Sequence, residues 1–315
     1  MQQSGMQQRG MQQRGMQQST ALVIGEALID IVATAEGEQD HPGGSPYNVA
    51  ITLGRLGDTV SLLTAIGDDA RGAEITARLE ESSVELLPAS RRSGPTSTAL
   101  AVLQPDGSAR YVFDIDWSLP ARLALAPSTV THAGSIALSL EPGASRVAEL
   151  LRERSGDSLI TLDPNIRPAL VGDHDHEVAR FEALLEVVDL VKLSDEDAAW
   201  LYPGLAPAKV LSRLVARGPG LAVMTLGGAG SLLASSAAVI EVPAPATIVA
   251  DTIGAGDSYM GALIHQVLTT SLGMQLRRRS ELWGEELGAI GAFASKVAAI
   301  TVSRRGANPP RLAEL

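Results

Sequence analysis

Asp251-Thr252-Ile253-Gly254-Ala255-Gly256-Asp257 is a polar, glycine-rich turn that follows the apolar run Thr247 to Ala250 and leads straight into a helix-like segment. From Ser258 to Thr270, apolar Met260, Leu263, Ile264, Val267 and Leu268 recur at helical spacing. Gly254 and Gly256 leave backbone N–H groups uncovered where they meet the positive end of the helix dipole, a geometry that holds anions, phosphate above all. Asp257 then falls in the first helical turn. A carboxylate there is perverse for simple phosphate binding. It makes sense as the acceptor of a proton from a hydroxyl attacking a phosphoryl group, while the backbone dipoles stabilise the developing charge. An ordinary helix entry explains the same residues, because Thr252 or Asp251 can cap and an acid in a first turn is favoured by the dipole alone. The rest of the chain has to decide.

The 315 residues fit one large α/β domain with a small addition. With no cysteine, disulfides, thiolate zinc sites and cysteine nucleophiles are excluded. No run approaches the ~18 uninterrupted apolar residues that a membrane span needs, so a cytoplasmic enzyme is expected. Residues 1–19 repeat Met-Gln-Gln at positions 1, 6, 11 and 16 without an apolar signal core. They are read as a cloning scar or a disordered tail, not a signal peptide, and residues 20–315 as the folded domain. Without Arg9 and Arg14 the net charge moves from −11 to −13. Such acidity argues against nucleic acid or an anionic membrane as partner. A polyanionic nucleotide can bind only locally, with helix dipoles and a divalent metal supplying positive charge.

Ala21 to Ile24 is a buried-strand run that Gly25 to Val32 continues. Asp30 within it is an acid in an apolar strand and needs partners: ligand hydroxyls, or solvent at a strand end. His41-Pro42-Gly43-Gly44-Ser45-Pro46-Tyr47-Asn48 opens a helix that stops at Gly57. Its glycines permit close backbone approach, and Asn48 offers a donor and an acceptor from the first turn. Thr96 to Leu103 and Ala109 to Asp114, joined by Gln104 to Ser108, read as a β-hairpin. Residues about 32–42 and 93–118 are therefore expected to form a small β-layer over the site, a candidate lid and homodimer surface.

From Thr129 onward strands and helices alternate. Strands end in Asp163-Pro164-Asn165-Ile166-Arg167, in Ser194-Asp195-Glu196-Asp197 and in Thr225-Leu226-Gly227-Gly228-Ala229-Gly230. This pattern predicts a doubly wound, mostly parallel sheet flanked by helices, with ligands at the carboxyl ends of its strands. Singly these loops are weak signals. Glycine turns are common, the acids at 195–197 suit a solvated helix start as well as metal or water ligands, and Arg167 can pair with any neighbouring acid. Their convergence on one sheet edge carries the argument.

Three motifs, Gly43 to Asn48, Asp163 to Arg167 and Asp251 to Asp257, in this order and separation, resemble the ribokinase-like (PfkB-type) carbohydrate kinases over essentially the whole chain after residue 20. Gly-Glu-Ala-Leu-Ile-Asp, Leu-Glu-Pro-Gly and Val-Lys-Leu-Ser-Asp-Glu-Asp are most similar to bacterial fructokinases. The resemblance implies Asp257 as catalytic base and the backbone of Gly254, Ala255 and Gly256 as anion hole. It implies Asp30, Gly43, Gly44, Asn48 and Arg167 on the sugar, and Ser194, Thr225, Gly227, Gly230, Gly254, Gly256 and Ser295 on the nucleotide. ATP is the implied co-substrate and Mg2+ the implied cofactor, with K+ in the region of Asp251, Ile253, Thr301, Arg304 and Gly306. Where relatives often carry Asn-x-x-Glu to organise water around magnesium, this chain has Ser194 and Asp197. The acid is kept and shortened, which leaves Asp197 a water-mediated magnesium residue.

The expected function is ATP-dependent phosphorylation of a terminal hydroxyl of a monosaccharide, with fructose first. Alternatives are a 2-keto-3-deoxygluconate, ribose or nucleoside kinase of the same fold. Nucleoside stacking would fall to Tyr111, Phe113 and Trp117. A catalytically silent sugar- or nucleotide-binding protein is a different class, but it would be expected to lose Asp257 or the anion-hole glycines. A Rossmann-type dehydrogenase lacks its Gly-x-Gly-x-x-Gly after the first strand.

Overall fold

The computed structural model describes residues 20–34, 37–103 and 109–315. The 1–19 tract and the Gln104–Ser108 turn lie outside them. The main sheet has nine strands. Its centre is β1 (Thr20–Ile24), which pairs in parallel with β4 (Thr59–Leu63) on one side and β10 (Val130–Gly134) on the other. Parallel pairing continues outward through β11 (Leu159–Asp163), β12 (Leu190–Ser194) and β13 (Leu221–Thr225), and from β4 to β6 (Val84–Leu86). Two antiparallel strands, β14 (Ser231–Ala234) and β15 (Val239–Val242), close the far edge. Such strands are covered on both faces, which is why they read as continuous apolar runs rather than alternating ones.

Two apolar layers cover this sheet. One holds α1 (Ser45–Arg55), α2 (Ala70–Glu81), α8 (Ala255–Thr269), α9 (Leu272–Arg277) and α10 (Gly284–Val302). The other holds α4 (Gly143–Arg154), α5 (His174–Leu185), α6 (Asp195–Leu201) and α7 (Pro207–Arg217), with the single turn α3 (Ile136–Ser139) at its rim. α8 is buried on nearly every side between α1 and α10, and at its N-terminus Gly256 lies against Lys192 of β12. Among the described residues, no helix is long and apolar enough to cross a membrane.

A second sheet runs in the order β3 (Gly37–Gly43), β2 (Leu28–Thr34), β8 (Thr98–Leu103) and β9 (Ala109–Asp114). This is the expected small β-layer with one correction. The run from Ala21 to Val32 is not one strand: it leaves the main sheet after Ile24 and enters the small sheet at Leu28, so that layer begins before residue 32. Gly25 meets the Leu63 carbonyl and Glu26 to Ala27 make the crossing. The hairpin pairing of β8 with β9 is antiparallel, Leu103 opposite Ala109. β5 (Ile66–Gly67) and β7 (Arg91–Arg92) form a short side ribbon. Trp117 is no lid aromatic. It is 2% exposed, packs under Gly143 and donates its indole N–H to the Ala137 carbonyl at 3.3 Å, a core residue of the α4 layer.

Candidate active site

The glycine turn is a helix start of an unusual kind. Gly254 is the N-cap of α8 at φ 75° and ψ 4°, and no side chain caps the first turn; the Ala255 N–H reaches the Thr252 carbonyl at 3.3 Å, and the turn keeps the positive helix end that an anion can meet. Asp257, in that turn, is 9% exposed. Its Oδ1 accepts from Ser45 Oγ at 2.6 Å and its Oδ2 from Asn48 Nδ2 at 2.8 Å. Both donors stand in the first turn of α1. The Gly43–Asn48 and Asp251–Asp257 segments, two hundred residues apart in the chain, are thus clamped together by one carboxylate. The Asn48 amide is spent partly on Asp257, so it fixes the acid.

Next to this clamp, Asp30 of β2 lies against Gly43, where any side chain would overlap its carboxylate. Burial pushes the Asp30 carboxyl up to about 6, against the pull of Arg167 and then His41. Gly44 caps α1, and Arg167 is exposed at the end of the Asp163–Arg167 loop. Glu26, absent from the sequence reading, is 4% exposed here and accepts from the Ala137 N–H at 3.3 Å. Desolvation raises its pKa from 4.5 to about 7 although Ser135 and Arg167 pull it back. Such a carboxyl binds its proton more tightly folded than unfolded, so its contribution to stability falls as pH rises from about 4.5 to about 7. The loss reaches at most about 3 kcal/mol. Glu26→Gln should therefore raise the melting temperature at pH 8 and leave it nearly unchanged below pH 4.5. Equal shifts at both pH values would show that burial does not set this carboxyl.

On the other side of Asp257 opens a cleft of about 430 Å³. Thr225, Gly227, Gly230, Gly256 and Ser295 line it, as the resemblance implied for a nucleotide. Its remaining wall is small and apolar, with Ala244, Ala298 and Val302 among the lining residues, and Tyr259 at its base shares a 2.8 Å hydrogen bond with Ser231. Ser194 pairs across the sheet with Thr225 but does not line the cleft. Instead it caps α6: its Oγ accepts from the Asp197 N–H at 3.0 Å.

Asp197 is 5% exposed and already engaged. Its Oδ1 accepts from the Ile166 N–H at 2.7 Å, and its Oδ2 from the Ser194 N–H and Oγ at 2.9 and 2.7 Å. The residue locks the Asp163–Arg167 loop onto α6. Among the described residues no group of three or more acids or histidines could hold a metal. In the expected cation region, Asp251 receives the N–H groups of Ile253 at 3.1 Å and Gly306 at 2.8 Å. Burial opposes its charge, but these donors outweigh it and hold the carboxyl below the usual range. Thr301 hydrogen-bonds back to Val297 within α10, and the Arg304 guanidinium turns to Glu314 at 2.5 Å.

The sequence reading also missed Lys192. The signal was present: like Asp30, it is a charged residue set in an apolar strand. Its ammonium is buried behind Gly256 and donates to Asp163 Oδ2 at 2.8 Å.

A model of the pfkB family of carbohydrate kinases matches residues 18–314. The chain is 31% identical over 255 residues to a fructokinase of Rhizobium leguminosarum bv. trifolii, covering 77% of this chain and 78% of that one. It is similar in structure to an uncharacterized sugar kinase of Pyrococcus horikoshii in complex with ATP, with a TM-score of 0.76 and 29% identity over 94% of this chain and 96% of the other. The fold is also that of a fructokinase of Xylella fastidiosa, with a TM-score of 0.80 and 24% identity over 94% and 96% of the two chains. The nearly full-length family match agrees with the two-sheet architecture and with the acid-and-glycine helix start, and this chain belongs to the pfkB family of carbohydrate kinases.

Proposed function

We propose that this kinase transfers the γ-phosphoryl group of ATP to a terminal hydroxyl of fructose, with Asp257 as base. The observation that carries the reading is the clamp on Asp257. A carboxylate fixed by Ser45 and Asn48 stands in the first turn of α8, and Asp30 interacts electrostatically with both Arg167 and this carboxylate. In that position it meets the hydroxyl side with one face and the phosphoryl side with the other.

The transfer is in line. The sugar oxygen forms a bond to the γ-phosphorus as the bond from that phosphorus to the bridging oxygen breaks and ADP departs. The hydroxyl proton passes to Asp257. The backbone N–H groups of Gly254, Ala255 and Gly256 hold the charge spread over the phosphoryl oxygens. Thr225, Gly227, Gly230 and Ser295 hold the nucleotide. Mg2+ neutralises the phosphates when bound. The donor set fits an ion that keeps its waters and takes phosphate oxygens, since no protein cage is built for it among the described residues. Asp197 reaches it through water at most. Asp251, Ile253 and Gly306 are the residues best grouped for a monovalent cation.

Fructose is favoured by the relatives named fructokinase and by the chemistry of the pocket. Trp117 belongs to the core, which removes one of the aromatic groups a nucleoside would stack on. The test is ADP release by the full chain with ATP, magnesium and potassium, across fructose, ribose, 2-keto-3-deoxygluconate, glucose and adenosine. Turnover on fructose alone is expected. Turnover on a different member replaces the substrate and keeps the mechanism. Silence on all of them overturns the reading.

A further inference from the structure

Lys192 has no part in the reaction as described, yet it lies directly behind the phosphoryl site. It stands in β12 among Leu190, Val191 and Leu193, with its side chain 5% exposed and on the same sheet face as Leu190, against α8. Its Nζ donates at 2.8 Å to Oδ2 of Asp163, a residue with no exposed surface. The other carboxylate oxygen of Asp163 is buried without a hydrogen-bond partner. On its opposite side the ammonium abuts Gly256, where a Cβ would sit 2.9 Å from Nζ.

This is an awkward place for a cation. The positive end of a helix repels it. Taking an ion pair out of water carries a desolvation penalty that an apolar side chain of equal volume avoids. Burial does oppose the charge on Lys192, but the carboxylates of Asp163, Asp197 and Asp257 outweigh it and raise its pKa. Packing alone would be served better by leucine or methionine. The arrangement becomes favourable once an anion meets the other side of the turn. A full positive charge then adds to the backbone dipoles where phosphoryl charge develops, in a site with little water to screen it. Asp163 accepts a hydrogen bond from one of the three ammonium N–H groups and stops the flexible stem from swinging.

We infer that Lys192 is a positioning residue for phosphoryl transfer: its ammonium, pinned by Asp163, fixes the backbone of Gly256 and adds charge to the anion hole from inside the sheet. This rests on the reading of the Asp251–Asp257 turn as the phosphoryl site.

The full chain is compared with Lys192→Met, with the double variant Lys192→Met/Asp163→Asn, and with Asp257→Asn. Turnover is measured with the sugar accepted in the panel. Binding of MgADP is measured in the presence of that sugar, with and without nitrate, a planar anion shaped like the transferred group. Lys192→Met should lower kcat about 100-fold. Its sugar KM and its MgADP affinity without nitrate should stay within about threefold, because neither depends on the developing charge. The tightening that nitrate gives to MgADP should shrink by roughly tenfold. The double variant buries no unpaired charge, so it should regain the melting temperature but not kcat, and it carries the test if Lys192→Met does not fold. Recovery of kcat along with stability in the double variant would make the pair purely structural and overturn the inference. Unchanged nitrate tightening would do the same. Undiminished turnover in Asp257→Asn sinks the phosphoryl-site reading itself, whereas its loss beside normal turnover in Lys192→Met sinks the inference alone.

Discussion

Asp257→Asn is expected to lower kcat by about 10²- to 10⁴-fold, the range set by losing a positioned proton acceptor. That is roughly 3–5 kcal/mol of transition-state stabilisation. The fold should survive. The amide has the size of the carboxylate, and the Ser45 hydroxyl, now 2.6 Å from Oδ1, can turn to donate or accept. The Asn48 amide, now 2.8 Å from Oδ2, can rotate its oxygen toward a new donor. Sugar KM should therefore stay within roughly threefold, because what is removed is needed only when the proton leaves. Steady-state kcat and KM with the accepted sugar, together with the melting temperature, separate the cases. A low kcat with normal stability and KM supports the base. Retained turnover assigns proton removal to another group.

How much of this was legible before the structure depends on where the signal resides. β11 ends at Asp163 as expected, because a two-sided buried strand is an unbroken apolar run that stops where the chain meets the polar edge. The start of α8 was legible for a different reason: Gly254 makes a left-handed turn and Gly256 and Asp257 follow it into the first helical turn, which the local sequence records directly. β1 and β2 were fused because hydropathy is continuous from Ala21 to Val32, and nothing in it records that the chain changes sheets at Gly25–Ala27. Trp117 was misplaced because its partner, Gly143, is a contact across the fold that no local pattern encodes. Much of the cleft wall is alanine and valine from segments 244–249 and 298–302, small residues that no local motif singles out. Lys192 and Glu26 were legible by the argument that singled out Asp30, since Lys192 is a charge in an apolar strand and Glu26 a charge in the apolar run that joins two of them.

Gly254→Ala is expected to lower both stability and turnover. At φ 75° an L-residue carries the left-handed penalty of about 1–2 kcal/mol. The space is also taken: the new Cβ would lie 2.6 Å from Ala307 Cβ and 3.0 Å from its Cα. Ala307 follows Gly306, whose N–H holds Asp251 Oδ2 at 2.8 Å, so backing away from the overlap unhooks the first residue of the turn from its anchor. The expected loss is about 1–3 kcal/mol of stability. The anion-hole N–H groups move with the cap, so kcat should also fall by roughly 10- to 100-fold. Gly227→Ala supplies the control for stability. Gly227 has φ 54° but nothing within 4 Å of its would-be Cβ, so its substitution incurs the conformational penalty without the overlap. Denaturant midpoints of the two variants isolate the close approach. A Gly254→Ala protein as stable as Gly227→Ala, with unimpaired turnover, would mean that the turn tolerates a side chain and that its glycine is not set by the contact with Ala307. A larger loss at 254, in midpoint and in kcat together, would tie the geometry of the helix start to phosphoryl transfer through the 306–307 loop that anchors it.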